Sequence, residues 1–253
     1  MKTLLISLLL IVLCSSLFAQ QVKLMATGSI EFTKTVNVYA IAKKMLLPEN
    51  VYEHYKNTHN QFFALKSTLS FKDNQTVFIP QINENSNTVN VYNNIPFPFA
   101  DQRNLVFVNW ITNSSITQKQ IFEQTSLVED SVRKIKWKIT DEFRDVVGFT
   151  CRRANAVILD SIYVVAFYTN EIHTSGGPES FGGLPGMILE VALPHENVIW
   201  RATSVIETTS ENKIIPPNKG DKVDNKQLLD RIKSAIKTLT PQLSDLLLKD
   251  LLI

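Results

Sequence analysis

Alternation of apolar and polar residues is the main pattern along this chain, and it predicts β-strands. The clearest example runs from residue 135 to residue 140, where Ile135, Trp137 and Ile139 alternate with lysines and a threonine. Because successive side chains of a strand point to opposite faces, such a segment has one dry and one wet face. Further strands are predicted at residues 28–33, 62–69, 77–79 and 105–110.

Two pairs of apolar runs predict antiparallel hairpins in the second half of the chain. The first pair, residues 152–159 and 163–169, is joined through an Asp-Ser turn. The second pair, residues 187–193 and 198–206, is joined through a short Pro-His-Glu-Asn segment. Both connections are rich in residues that favour turns, so each pair of strands is expected to run back on itself.

Residues 80–104 have the weakest pattern. Asparagine is frequent there, and two prolines that cannot donate to a β-ladder interrupt the apolar stretch at 95–99. This predicts a long connection that Phe97 and Phe99 pin to the core.

The C-terminal residues change to helical periodicity. Asp224 with Gln227 three residues later resembles a capping box, and Thr240-Pro241 is a second helix start signal. The stretch 243–253 is apolar enough to need a partner surface. We therefore predict a mainly β (α+β) fold, a curved antiparallel sheet built of hairpins with C-terminal helices at 224–253 packed against it.

The first twenty residues have the layout of a secretory signal peptide. A positive start is followed by an apolar run too short for a transmembrane helix, then by small residues with cleavage after Ala19 or Gln20. Cys14 leaves open an alternative route as a lipoprotein. The mature chain is predicted to be one β-rich domain, residues 21–253, without a transmembrane span, located in the periplasm, at the outer membrane or outside the cell.

Charge and cysteine content narrow the possible functions. The formal net charge is only +2, which argues against nucleic acid, whose phosphates require clustered lysine and arginine. Once the signal peptide is removed, Cys151 is the one remaining cysteine, so no internal disulfide is expected. A free cysteine is a nucleophile or a buried apolar residue, and burial is the favoured interpretation.

The most unusual segment is residues 171–190, Glu-Ile-His-Thr-Ser-Gly-Gly-Pro-Glu-Ser-Phe-Gly-Gly-Leu-Pro-Gly-Met-Ile-Leu-Glu. Five of the eight glycines lie within eleven residues, together with two prolines. Glycine permits positive φ and close backbone approach, whereas proline fixes φ. The combination predicts a rigid loop between strands, and loops of this kind often carry function.

Residues 183–188, Gly-Leu-Pro-Gly-Met-Ile, resemble the signature of the GLPGLI family of exported Bacteroidetes proteins. Trp137, Glu142 and the stretch Gly148 to Ala154 are similar to the upstream block of that family. The convincing overlap covers residues 128–206. The resemblance implies export and a GLPGLI-type domain but no reaction. His173 stands where the family pattern leads us to expect proline.

An enzymatic site is the alternative interpretation of this region. Cys151, Glu171 and His173 together could supply a hydrolase-type or metal-dependent site, but no catalytic signature surrounds Cys151. The four histidines do not show the spacing of a helical zinc motif. We assign no catalytic residue, no metal ligand and no cofactor.

The leading hypothesis is non-catalytic binding of a lipid-like hydrophobic ligand or of an outer-membrane or periplasmic protein, and a purely structural or accessory role is a further alternative. An aromatic surface could serve this binding, or its members could belong to the core: Phe97, Phe99, Trp137, Tyr163, Phe167 and Tyr168. The predicted binding residues are Trp137, Tyr168, Glu171, His173, Gly177, Pro178, Gly183, Leu184, Pro185 and Gly186.

Overall fold

The computed structural model describes residues 25–81, 90–92, 95–101, 103–208 and 214–253. The predicted signal peptide, its cleavage point and Cys14 lie outside these residues. The described strands are β1 (Thr27–Asn37), β2 (Phe62–Lys72), β3 (Gln75–Pro80), β4 (Asn90–Tyr92), β5 (Ile95–Pro96), β6 (Leu105–Asn109), β7 (Ser114–Ile121), β8 (Gln124–Ser131), β9 (Lys138–Val146), β10 (Phe149–Ile158), β11 (Ile162–Thr169), β12 (Met187–Leu193), β13 (Val198–Glu207) and β14 (Asp221–Val223). The described helices are α1 (Val38–Lys44), α2 (Glu49–Thr58), α3 (Asn225–Ile236) and α4 (Pro241–Leu252).

Twelve of the described strands form one curved, open sheet in the order β14-β8-β7-β6-β3-β2-β1-β13-β12-β11-β10-β9. Neighbouring strands are antiparallel except for β14 and β8, which pair in parallel. Strands β4 and β5 form a separate pair. The predicted curved antiparallel sheet with C-terminal helices is confirmed, as are the two predicted hairpins, β10–β11 and β12–β13.

The central strand β1 shows how the sequence pattern builds the core. Its inward positions Ile30, Phe32 and Val36 are fully buried and alternate with more exposed residues. Lys34 occupies the same side and is only 2% exposed. The register places Lys34 beside Trp200 of β13, and its ammonium nitrogen lies 5.0 Å from the centre of the indole ring. The inner face of the sheet is therefore mainly apolar but carries a buried charge at its centre.

The predicted strand at residues 135–140 is partly wrong, because the strand begins at Lys138. Strand β8 lies near one end of the sheet and β9 forms the other end, so residues 132–137 must cross between the two ends. A crossing segment cannot pair with either strand ladder. Trp137 instead donates its indole N–H to the carbonyl oxygen of Gly182, at 2.8 Å.

The C-terminal helices begin where the capping signals predict. The Asp224 carboxylate accepts from the backbone N–H of Gln227, and the Gln227 side chain accepts from the backbone N–H of Asp224. The Thr240 hydroxyl caps α4, with Pro241 in its first turn. Both helices turn leucine or isoleucine side chains inward, and α3 contacts β8 and β14.

The glycine- and proline-rich loop at residues 170–186 connects the paired strands β11 and β12, the place between strands that its composition predicts. Its backbone pairs with the start of β12, where the N–H of Ile188 donates to the carbonyl oxygen of Gly176 at 2.8 Å. Gly186 has φ +141°, and a Cβ atom there would lie 2.1 Å from the carbonyl oxygen of Thr169. Only glycine fits this position.

Replacing Gly186 by alanine should therefore lower the free energy of unfolding by several kcal/mol, about 3 or more, since it adds a backbone clash to an unfavourable φ. Gly148 is the matched control, because it also has positive φ (+82°) but nothing within 4 Å of the added atom. Gly148→Ala should cost about 1–2 kcal/mol. Urea denaturation of both variants measures the difference, and equal losses would contradict the steric argument.

Candidate functional site

The loop at 170–186 directs an acidic side chain into the protein interior. Glu179 has a left-handed backbone with φ +52°, and the N–H of Phe181 closes the turn on the carbonyl oxygen of Pro178 at 3.1 Å. The side chain of Glu179 is buried and accepts from the Asn104 amide at 3.3 Å. A hydrogen-bonded turn thus places one carboxylate in the interior.

Three buried charged side chains and one half-buried acid act on one another electrostatically here, and we call them the inner charge cluster: Lys34, Lys119, Glu179 and, half-buried, Asp250. Lys34 comes from β1, Lys119 from β7 and Asp250 from the last turn of α4. The Lys119 ammonium donates to the carbonyl oxygen of Leu251 at 2.7 Å, and an Asp250 carboxylate oxygen accepts from the backbone N–H of Phe99 at 2.8 Å. Two strands, one loop and one helix therefore contribute to a single electrostatic unit.

Burial shifts the pKa of every member of the inner charge cluster toward its neutral form. It lowers the pKa of Lys34, and it lowers the pKa of Lys119 to about 8, while the charges of Glu179 and Asp250 act in the opposite direction. Burial also raises the pKa values of Glu179 and Asp250, against the pull of the two lysines. The removal of these charges from water costs more than their mutual attraction returns.

The predicted binding residues divide into buried and accessible sets. Tyr168, Gly177, Pro178, Leu184 and Gly186 are buried, Trp137 and Glu171 are half-buried, and His173, Gly183 and Pro185 are exposed. Of the six candidate aromatic residues, Phe97, Phe99 and Tyr168 belong to the core. The loop therefore points most of its side chains inward and shows only a few positions to solvent.

The residues proposed for an enzymatic alternative are not joined into a catalytic arrangement. Cys151 is fully buried, and burial first, then the nearby acids Asp145, Glu171 and Glu190, raise the pKa of its thiol to about 12. His173 is exposed and bonds through its backbone N–H to Met25. Nucleophilic cysteines require the opposite, a lowered pKa and an adjacent base.

No group of three histidine, cysteine or acidic residues placed to hold a metal ion occurs in the described part of the chain. None of the described helices is both long and apolar enough to cross a bilayer.

The end of the sheet at β9 exposes apolar side chains. On edge strand β9, Phe143 is 59% exposed and Ile139 is 40% exposed. The half-buried Trp137 directly precedes this strand and contacts the loop at Gly182 and Gly183. We call Trp137, Ile139 and Phe143 the edge surface. It is rimmed by ion pairs between Arg152 and Asp141 (2.7 Å) and between Arg153 and Glu142 (2.6 Å).

The outer face beside this edge is stabilised by a buried acid between two arginines. Glu190 is 2% exposed and pairs with Arg144 and with Arg201, the latter at 2.5 Å. The Arg144 guanidinium lies 4.3 Å from the ring centre of Phe167. These contacts tie β9 to β11, β12 and β13, and no described strand pairs with the far edge of β9.

The inner charge cluster was missed from the sequence, although a signal was present. Lys34 is in phase with Ile30, Phe32 and Val36, and Lys119 with Ile121, so both lysines occupy positions where the alternation requires an apolar residue. Asp250 likewise lies within the apolar stretch 243–253. A charged residue at a position where the alternation places side chains on the apolar face indicates a buried charge.

This fold and site define a class of protein, a β-sheet domain. Its antiparallel sheet is open, and C-terminal helices pack against it. The family described as N-glycanase peptide, N-terminal domain, matches residues 70–230, more than half of the chain. The chain therefore belongs to this family. Comparison with curated protein sequences gave no match.

Two solved structures of PNGF-II, in space groups P21 and C2, have the same fold. Their TM-scores are 0.52 and 0.50 at 16% and 17% sequence identity, and the match covers 83% of this chain. It covers only 34% and 33% of theirs, so this chain spans about a third of the length of PNGF-II. The comparisons do not address the resemblance to the GLPGLI family, which stays a prediction.

Burial of Lys119 predicts a specific dependence of stability on pH. Its pKa in the folded protein, about 8, lies below the ordinary value of 10.5. As the pH rises, the folded protein therefore loses this proton at a lower pH than the unfolded protein does. Stability therefore rises with pH from about 8 toward the unfolded pKa. Relative to Lys119→Met, the wild-type protein should gain roughly 2–3 kcal/mol of unfolding free energy between pH 8 and pH 10.

Urea titrations at a series of pH values measure this difference. Lys222→Met is the control, because the Lys222 side chain is 74% exposed and pairs with Glu129 on the surface. A wild-type advantage that is constant across this pH range would contradict a buried, deprotonated Lys119.

Cys151 should resist alkylation in the folded protein. A thiol pKa of about 12, against the ordinary 9.0, lowers the thiolate fraction by about a thousandfold near neutral pH. Mass spectrometry of the Cys151 peptide after iodoacetamide treatment should show labelling at least that much slower than in urea-unfolded protein. Rapid labelling of the native state would revive the nucleophile hypothesis.

Proposed function

We propose that this chain is an exported, non-catalytic domain that binds a protein partner in the cell envelope through the free end of its sheet. The observation that carries the proposal is edge strand β9, which ends an open sheet and exposes Ile139 and Phe143 to solvent. A protein that uses this surface gains apolar contacts and main-chain hydrogen bonds together, as in strand addition to a sheet edge.

The charged side chains along β9 support binding of a specific partner strand, and they disfavour pairing with an arbitrary strand. Asp141, Glu142 and Arg144 are engaged with arginines or an acid of neighbouring strands. Charged side chains on an edge strand oppose association with an arbitrary strand, because a mismatched partner leaves them unpaired. A partner therefore needs both an apolar side chain for Phe143 and a compatible charge pattern.

The inner face supports a protein partner over a lipid-like ligand. The large side chains at the centre of this face, Phe97, Phe99 and Trp200, are fully buried, and Leu246 and Leu247 of α4 are buried in the same core. A hydrophobic ligand would have to displace these side chains. The edge surface, in contrast, is accessible as it stands.

The family supports an accessory role. Its description names the N-terminal domain of an N-glycanase, and this chain covers about a third of PNGF-II. We propose that the partner of this domain takes part in the processing of N-glycans or carries such glycans. The non-catalytic assignment rests on the buried thiol of Cys151, whose raised pKa opposes nucleophilic chemistry.

Photocrosslinking in the native cell envelope tests the edge surface. A photoreactive phenylalanine analogue at Phe143 should give a discrete crosslinked product, which mass spectrometry identifies. The same analogue at Leu46 is the control, since Leu46 is 69% exposed but lies between α1 and α2.

The identified partner then allows a quantitative test with purified proteins. Phe143→Asp should weaken binding at least about tenfold, because it places a charge at the centre of the apolar contact. Leu46→Asp should leave the dissociation constant unchanged. Equal affinities of wild-type protein and Phe143→Asp, or crosslinking at Leu46 but not at Phe143, would contradict the proposal.

A further inference from the structure

The outer face of the sheet carries one carboxylate that two arginines share. Glu190 of β12 is buried, and its two oxygen atoms accept from different partners. One oxygen accepts from Arg144 of β9, and the other accepts from Nε of Arg201 of β13 at 2.5 Å. Glu190 therefore draws together two guanidinium groups from strands that are four steps apart in the sheet.

This arrangement leaves one positive charge uncompensated. In the part of the chain that the structure describes, Glu190 is the one acid within ion-pair distance of either arginine, so the three groups sum to +1. Each guanidinium group has five N–H donors, and the contact with Glu190 uses one of them. The side chains of Arg144 and Arg201 are 39% and 55% exposed. Most of their donors are therefore accessible from solvent.

The two guanidinium groups are held in position before any ligand binds. The strand register places Phe167 directly opposite Glu190, and Glu190 directly opposite Arg201, so these side chains form one row on the outer face. The Arg144 guanidinium lies 4.3 Å from the ring centre of Phe167, so it stacks on the ring as well as pairing with the acid. Groups that are already ordered lose less entropy when they bind a ligand.

The neighbouring arginine of the same row shows the contrast. Arg153 lies directly opposite Phe167. It donates to Glu142 at 2.6 Å and to the side-chain oxygen of Asn155 at 3.0 Å. This pair of one arginine and one acid is neutral, whereas the group around Glu190 is not.

A second row of side chains on the outer face is apolar. Each of its members lies two residues along its strand from the row of Glu190, and residues two apart point to the same face, about 7 Å from one another. We call this set the apolar row, and its half-buried members are neighbours in β11, β12 and β13: Val165, Ala192 and Ile199. An anion bound at the arginines can therefore place an attached carbon chain over apolar surface.

We propose that Arg144 and Arg201 bind the carboxylate or phosphate group of an amphiphilic anion whose carbon chain lies along the apolar row. Guanidinium groups bind both kinds of oxyanion through paired N–H donors, and Glu190 is a positioning residue that holds them. A ligand on this outer face displaces no side chain of the core. The site does not depend on the edge surface, because Arg144 follows Phe143 on β9 and successive side chains of a strand point to opposite faces.

An NMR titration of the isotope-labelled full chain tests the site with four probes: acetate, hexanoate, inorganic phosphate and hexyl phosphate. The backbone amide signals of Glu190 and Arg201 should shift on binding. Each hexyl probe should bind at least about tenfold more tightly than its parent anion, because the apolar row covers the added carbon chain. Tighter binding of hexyl phosphate assigns the site to a phosphate ligand, and tighter binding of hexanoate assigns it to a carboxylate ligand.

Substitutions separate this site from other surface arginines. Arg201→Gln should weaken the binding of the tighter hexyl probe at least about tenfold, since it removes a charge and several donors. Arg201→Lys keeps the charge but loses the planar donor fork, so its loss should be smaller. Arg231→Gln is the matched control, because Arg231 is an arginine of α3 with its own acid, Asp221, and this variant should bind the probes like the wild-type chain.

Two results would overturn the proposal. The first is an unchanged dissociation constant in Arg201→Gln, or in Arg201→Lys where Arg201→Gln impairs folding. The second is a set of shifts that leaves out β12 and β13. A purely structural role of the arginines would change urea stability in these variants and leave the affinity for all four probes unaltered. Equal affinities of the hexyl probes and their parent anions would exclude the apolar row from the site.

Discussion

A six-residue connection imposes the shape of this domain. Residues 132–137 join β8, near one end of the sheet, to β9 at the other end, and they can span at most about 25 Å. Ten strand-to-strand steps separate β8 from β9, which in a flat sheet would be about 48 Å. The sheet must therefore curve until its ends approach, and everything on its inner face is brought together by that curvature.

The crossing segment also links the edge surface to the inner charge cluster. Arg133 binds the end of α4 inside the curved sheet, and Trp137, four residues later, binds the loop at Gly182. Gly182 has no space for a side chain, because the Trp110 ring occupies that position. Residues 132–137 thus contact both the glycine-rich loop and α4. The backbone of the loop sets the spacing between these parts.

Local sequence patterns were sufficient for the elements that depend on neighbours in the chain. The hairpins around residues 160 and 195 follow from alternation and turn residues, and the start of α3 follows from Asp224 and Gln227. The remote pairings could not be predicted in this way: β1 lies between β2 and β13, and β14 pairs in parallel with β8. The inner charge cluster depends on those pairings, since Lys34 and Asp250 are 216 positions apart. Its sequence signals were the charges at apolar positions: Lys34 and Lys119 in their strands and Asp250 in the apolar stretch 243–253.

The two surfaces place opposite demands on the same sheet. The edge surface depends on β9 being the last strand of the sheet within the part of the chain that the structure describes, and the ion pairs of Glu190 with Arg144 and Arg201 tie β9 to its neighbours. The apolar inner face of the sheet requires a cover against water, because the curved sheet does not close on itself. Polar contacts hold this cover in one position, because Lys119 donates to the carbonyl oxygen of Leu251 and Asp250 accepts from the backbone N–H of Phe99. Because burial removes these charged groups from water, they fix the position of α4 at a cost in stability.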